Sequence, residues 1–74
     1  MIETLIDYIQ QKGCNVSVMT ESLLLWKIAK GQRINKVWRI SKEDINQVVD
    51  VSLLFSQADQ QVGMIDKAIE GYQP

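Results

Sequence analysis

Histidine is absent from the 74 residues. No imidazole base, imidazole ligand or histidine pH switch is therefore available. The single cysteine, Cys14, cannot close an internal disulfide or build a cysteine-based metal site. It is expected to be a buried, inert thiol. Proline occurs once, as the last residue, and glycine four times. No linker, low-complexity tract or internal repeat can be drawn from them. Long apolar runs are also missing. The longest, Leu23-Leu24-Leu25-Trp26, is far below the roughly 18 residues that span a bilayer. No basic leader precedes the first helical pattern, so a reducing cytoplasm is the expected compartment, with no membrane partner.

Catalytic constellations are lacking too. Gly31 is isolated, and no glycine-rich strand-to-helix turn offers a phosphate cradle. Nucleophilic catalysis needs an activated side chain beside a base, and Cys14 has no histidine to pair with. Glu43 and Asp44 are adjacent, but acids are expected in a helix first turn. Asp59, Asp66 and Glu70 are spread over the carboxyl-terminal third, without a companion that completes a metal cage. The expectation is a chain that is not an enzyme, with no cofactor and no metal.

What is present is a patterned apolar set, 46% of the chain, with a formal net charge of −1. That is too apolar and too weakly charged for disorder. The length allows one domain, residues 1–74. Ile2, Leu5, Ile6 and Ile9 recur at helical spacing, and Gly13 supplies the stop. Cys14, Val16 and Val18 then alternate with Asn15, Ser17 and Met19, which predicts a strand. Thr20-Glu21-Ser22 forms a turn. Leu23 to Ala29 and Arg33 to Ile40 predict two further strands around Lys30-Gly31-Gln32. Ser41 caps a helix that runs through Ile45, Val48, Val49 and Ser52, then Leu53, Phe55, Ala58 and Val62, to a stop at Gly63. Asp50-Val51-Ser52 is its weak point by propensity. Ile65, Ala68 and Ile69 make a short last helix closed by Gly71, with a frayed tail behind it. The expected fold class is α+β: a two-layer structure in which an antiparallel three-stranded meander packs against helices, in the order α-β-β-β-α-α.

The hairpin register decides which residues face a partner. A three-residue loop places Leu24, Trp26, Ile28, Ile34, Trp38 and Ile40 on the helix-covered face. A two-residue loop would set Lys27 and Lys36 beside Leu25 and Trp38, so the odd loop is preferred. Both tryptophans then pack in the core, and Met19, Leu23, Leu25 and Val37 form an outward apolar strip. The last helix either wraps over that strip or leaves it as an interface.

Charge is segregated. Lys27, Lys30, Arg33, Lys36, Arg39 and Lys42 follow one another with no acid among them. Residues 1–26 carry −2, 27–44 carry +4 and 45–74 carry −3, so a basic hairpin lies between acidic segments. Such a block either binds an anionic partner or protects a sheet edge. The expected partner-binding set is Lys27, Lys30, Arg33, Lys36, Arg39, Leu23, Leu25 and Val37.

Two resemblances add to this reading. Leu25-Trp26-Lys27-Ile28-Ala29-Lys30-Gly31 with Trp38-Arg39-Ile40-Ser41-Lys42-Glu43-Asp44-Ile45 resembles the wing of excisionase-type winged-helix DNA binders. In that family Lys30, Arg33 and Lys36 would contact phosphates. The chain departs from it in a short Gly-to-Trp spacing and in lacking a recognisable helix-turn-helix. The element order is also similar to that of small phage-encoded inhibitors, some anti-CRISPR proteins among them, which act by occluding a host protein. That resemblance implies a non-catalytic interaction module: a phage or mobile-element accessory or inhibitor, working in the host cytoplasm. It would bind a protein or self-associate through the outer sheet face and basic hairpin. The alternative is a small DNA-binding protein using that hairpin as a wing.

Overall fold

The computed structural model describes residues 2–47 and 50–72. Its order is α1 (Ile2–Gln11), β1 (Asn15–Val18), β2 (Leu23–Ala29), β3 (Gln32–Trp38), α2 (Lys42–Gln47) and α3 (Val51–Gly71). The strands form one antiparallel meander in the order β1-β2-β3. The expected α+β class and element order are therefore observed. The helical spacing read through Val48 and Val49, and the tail Gln73-Pro74, lie outside the described residues.

Local chemistry sets each boundary. At the end of α1, Gly13 takes φ +83°. Its N–H donates to the carbonyl of Gln10 (2.9 Å), and the Cys14 N–H donates to that of Ile9 (3.4 Å). These two bonds are the Schellman pair, and the buried Ile9 and Cys14 supply its apolar contact. The Ser41 Oγ accepts from the Asp44 N–H at 3.0 Å and so caps α2.

The helical break differs from the expected one. It falls at Asp50, which is extended and whose Oδ1 accepts from the Ser52 N–H (3.0 Å) and hydroxyl (2.6 Å). Gly63, the expected stop, lies inside α3. Leu54, Ala58, Val62 and Ile65 make one buried stripe that runs through it, and tertiary burial outweighs the roughly 1 kcal/mol that a helical glycine costs. Leu53 is exposed, so the inward residue of that pair is Leu54.

The β2–β3 connection also differs. Ala29 pairs with Gln32, so the loop is Lys30-Gly31. Both residues have positive φ, +53° and +75°, which identifies a type I′ turn. That turn's twist matches the twist of the flanking strands. The pairing becomes Leu23 with Trp38, Leu25 with Lys36 and Lys27 with Ile34. Leu23 and Leu25 therefore point inward and are buried, whereas the odd loop had them on the outer face. They join Leu5, Ile9, Cys14, Trp38, Ile45, Leu54, Ala58, Val62 and Ile65 in one core. The objection to even parity, a lysine among apolar residues, is met because lysine buries its stem and frees its head.

Three substitutions test this arrangement. Gly63→Ala is expected to stabilise the fold by about 0.5–1 kcal/mol in urea titration, since an added Cβ meets nothing within 4 Å. Leu25→Ala is expected to cost about 2–5 kcal/mol, and Val37→Ala no more than about 0.5 kcal/mol. The reverse ranking would refute the two-residue register.

Candidate protein-interaction face

With this register, β2 presents Leu24, Trp26 and Ile28 outward, and β3 presents Arg33, Asn35 and Val37. Asn15 and Ser17 extend the same face on β1. Ile28 is 69% exposed and Val37 50%, while Leu24 and Trp26 are half-buried. None of the apolar four, Leu24, Trp26, Ile28 and Val37, belongs to the core or to the apolar residues packed against it. The helices supply the other side of that core, so no described element covers the outer face. An outward apolar strip is therefore present, but its members differ from those expected. Val37 stays in it, Leu23 and Leu25 leave it, and Leu24, Trp26 and Ile28 replace them.

Trp26 and Arg33 form the centre of the face. The Arg33 guanidinium lies 4.2 Å from the centroid of the Trp26 ring, a cation–π contact. Its Nε donates to the Asn35 Oδ1 at 3.0 Å. The planar group is held from two sides. The Trp26 Nε1 is buried without an acceptor, so this indole contributes packing and its π face rather than a hydrogen bond.

The basic hairpin does not act as one surface. Lys27 points inward, and its Nζ pairs with Asp66 on α3 at 2.6 Å. The Lys30 Nζ donates to the carbonyls of Ile69 and Tyr72, each at 3.2 Å. That places a cation on the negative end of α3, where it caps the last turn. Lys36 also points inward, opposite Leu25, and is half-buried. Arg33 and Arg39 remain outside, the latter beside a shallow depression shared with Glu21, Ser22 and Val37. The Lys42 side chain lies outside the described residues. Two of the three cations that a phosphate-binding wing would use, Lys30 and Lys36, are thus turned toward the fold.

The edges of the sheet are less open to a partner than its face. β1 has only four residues, and β3 carries an inward lysine, Lys36. Short edges and inward charges are the usual guards against strand addition.

A second cluster was not anticipated. Tyr8 stacks on Phe55, with ring centroids 4.4 Å apart and 7° between planes. The Tyr8 hydroxyl donates to the Asp59 Oδ1 at 2.8 Å, and the Lys12 Nζ reaches the same oxygen at 2.9 Å. Lys12 also lies 4.9 Å from the Tyr8 ring centroid. Tyr8 and Lys12 are four apart on one helix, as are Phe55 and Asp59 on the other. That double i, i+4 spacing was the only sequence signal. The cluster fastens α1 to α3. Lys12 and then Tyr8 hold the Asp59 carboxyl below its ordinary value, and Asp59 holds the Lys12 ammonium above its own.

Cys14 is buried, and burial pushes its thiol up. Its Sγ lies 3.5 Å from the Asn15 carbonyl and 3.7 Å from that of Trp26. A raised thiol holds little thiolate at neutral pH and is a poor nucleophile. Among the described residues, no three histidine, cysteine, aspartate or glutamate side chains gather where a metal could bind. No described helix is long and apolar enough to cross a membrane. Comparison with protein-family models, with curated proteins and with solved structures yields no match.

The α1–α3 cluster has a pH signature. A carboxyl held low in the fold contributes stability above its unfolded value, about 3.9, and loses it as the pH falls through its folded value. An ammonium held high contributes below about 10.4 and loses its contribution as the pH rises through its folded value. Asp59→Asn is therefore expected to flatten the acid limb of stability against pH, and to flatten the alkaline limb where Lys12 titrates. An acid limb unchanged in thermal melts would refute this role for Asp59.

Proposed function

We propose that the chain is a non-catalytic protein-interaction module that docks through the outer face of its sheet. The observation that carries this reading is the uncovered strip Leu24, Trp26, Ile28 and Val37 with Arg33 set against Trp26. Apolar residues of this size on one face, rimmed by cations, have the composition of a protein interface. Tryptophan and arginine are also the residue types that most often dominate binding energy. Occluding a partner's surface needs no catalytic group. It is how the small phage-encoded inhibitors act whose element order this chain resembles.

The DNA-binding alternative receives less support. Affinity for a duplex grows with the number of phosphates contacted, and two of the three wing cations are turned from that role: Lys30 is bonded to carbonyls at the end of α3, and Lys36 points inward opposite Leu25.

The double variant Ile28→Glu, Val37→Glu tests the proposal. Both side chains are exposed, so circular dichroism and thermal midpoint are expected to stay near wild type. Binding to any partner, or self-association in sedimentation, is expected to fall sharply. Affinity purification from the native host with wild type and variant in parallel, read by quantitative mass spectrometry, measures this. Partners held equally by both forms would refute docking at this face. Trp26→Phe serves as a milder probe. It loses no indole hydrogen bond and is expected to weaken binding less than the double variant.

A further inference from the structure

Resting on the reading above, we infer that the outer face takes an acidic, amphipathic helical segment of a different protein, with a carboxylate of that segment on Arg33. Three observations converge on this occupant. The first is charge. None of the outward strand residues is acidic, whereas Arg33 is cationic and the exposed Arg39 follows β3. An acid, Glu21, shares a depression with Arg39 at the far end from Arg33. A two-fold copy would set this face against its own like charge, and isologous contacts are self-complementary only when such charges can be offset.

The second is the state of Arg33. Its ring contact with Trp26 and its Nε bond to Asn35 fix the plane of the guanidinium. Neither contact uses the terminal Nη groups, which form the fork that fits a carboxylate in a bidentate pair. A guanidinium already ordered loses little entropy on pairing.

The third is size. Two seven-residue strands and a shorter third outline roughly 300 Å² at the usual rise and strand spacing. A stable globular complex buries about 800 Å² per partner, so the face alone is too small for a second domain-sized surface. A single helix about 10 Å across and about 15 residues long matches the strand length. Its apolar stripe would lie on Leu24, Trp26, Ile28 and Val37, and its flanking acids would reach Arg33 and Arg39. Helix-in-groove recognition uses the same i, i+3, i+4, i+7 anchors. Nucleic acid is the other anionic polymer, but it has no continuous apolar stripe to cover this strip.

The experiment compares three labelled probes on the intact chain by fluorescence anisotropy, at low and at high salt. They are a helix-forming peptide with one leucine stripe flanked by glutamates, the same peptide with lysines for glutamates, and a random-sequence DNA duplex. The glutamate peptide is expected to bind and to shift the amide resonances of Trp26, Ile28 and Val37. Its affinity should fall with salt, and the lysine peptide should bind at least about tenfold more weakly. Arg33→Glu is expected to reverse that preference while leaving the free protein folded. Equal binding of both peptides at this face would overturn the acidic selection and leave the docking face standing. A dimer in sedimentation that is lost in the Ile28→Glu, Val37→Glu variant would do the same, with a second copy as occupant. Preference for the duplex would overturn the inference in favour of nucleic acid. Failure of every probe, with the protein monomeric, would overturn the inference and withdraw support from the face itself.

Discussion

The parity of the Lys30-Gly31 turn is the constraint on which the remaining structure depends. A sheet alternates its side chains with a period of two, so one residue more or less in the loop exchanges the faces of a whole strand. With two residues in a type I′ turn, Leu23, Leu25 and Trp38 point into the core, and Leu24, Trp26, Ile28 and Val37 point to the outer face. Core and candidate surface are thus two products of one backbone geometry. The turn is not free of cost, because Lys30 is a non-glycine residue at φ +53°. Its side chain offsets part of that strain by capping the end of α3.

The two inward lysines of the hairpin show how a charge can serve a fold without a ligand. Lys27 spans the sheet-to-helix layer to Asp66, and Lys36 points inward from the edge strand, opposite Leu25. The hairpin's cations therefore divide by direction. Those pointing inward hold α3 and guard an edge, and Arg33 and Arg39 give the outer face its sign. A count of basic residues along the chain cannot see that division, because neighbours in sequence stand on opposite sides of a sheet.

Much of the fold was legible because its signals were local. Gly13 and Ser41 act where helix-cap chemistry places them, β1 lies within the stretch that alternates from Cys14 to Met19, and β2 spans Leu23 to Ala29 as read. The errors came where long-range packing overrode a local preference. Gly63 reads as a stop, yet a buried stripe from Leu54 to Ile65 carries α3 through it. The hairpin parity was misread for a similar reason. Avoiding lysine on the inner face is a sound local rule, and the partner that overrides it, Asp66, lies 39 residues away. Of the site residues, Arg33, Arg39 and Val37 could be read because either parity leaves them outward. Leu24, Trp26 and Ile28 could not, since their placement rests entirely on the loop.

The bonds from Lys30 to Ile69 and Tyr72 also bear on the order in which the chain assembles. They join the two-residue hairpin turn to the last turn of α3 and its C-cap residue, across 39 and 42 positions. Closing so long a loop costs entropy that no local contact returns. The hairpin can form early from its own turn, but its tip reaches its final state only when the far end of the chain has docked. Hairpin tip and terminal helix should accordingly open and close as one cooperative unit, and the loosest part of the sheet should be β1, which lies at the opposite edge.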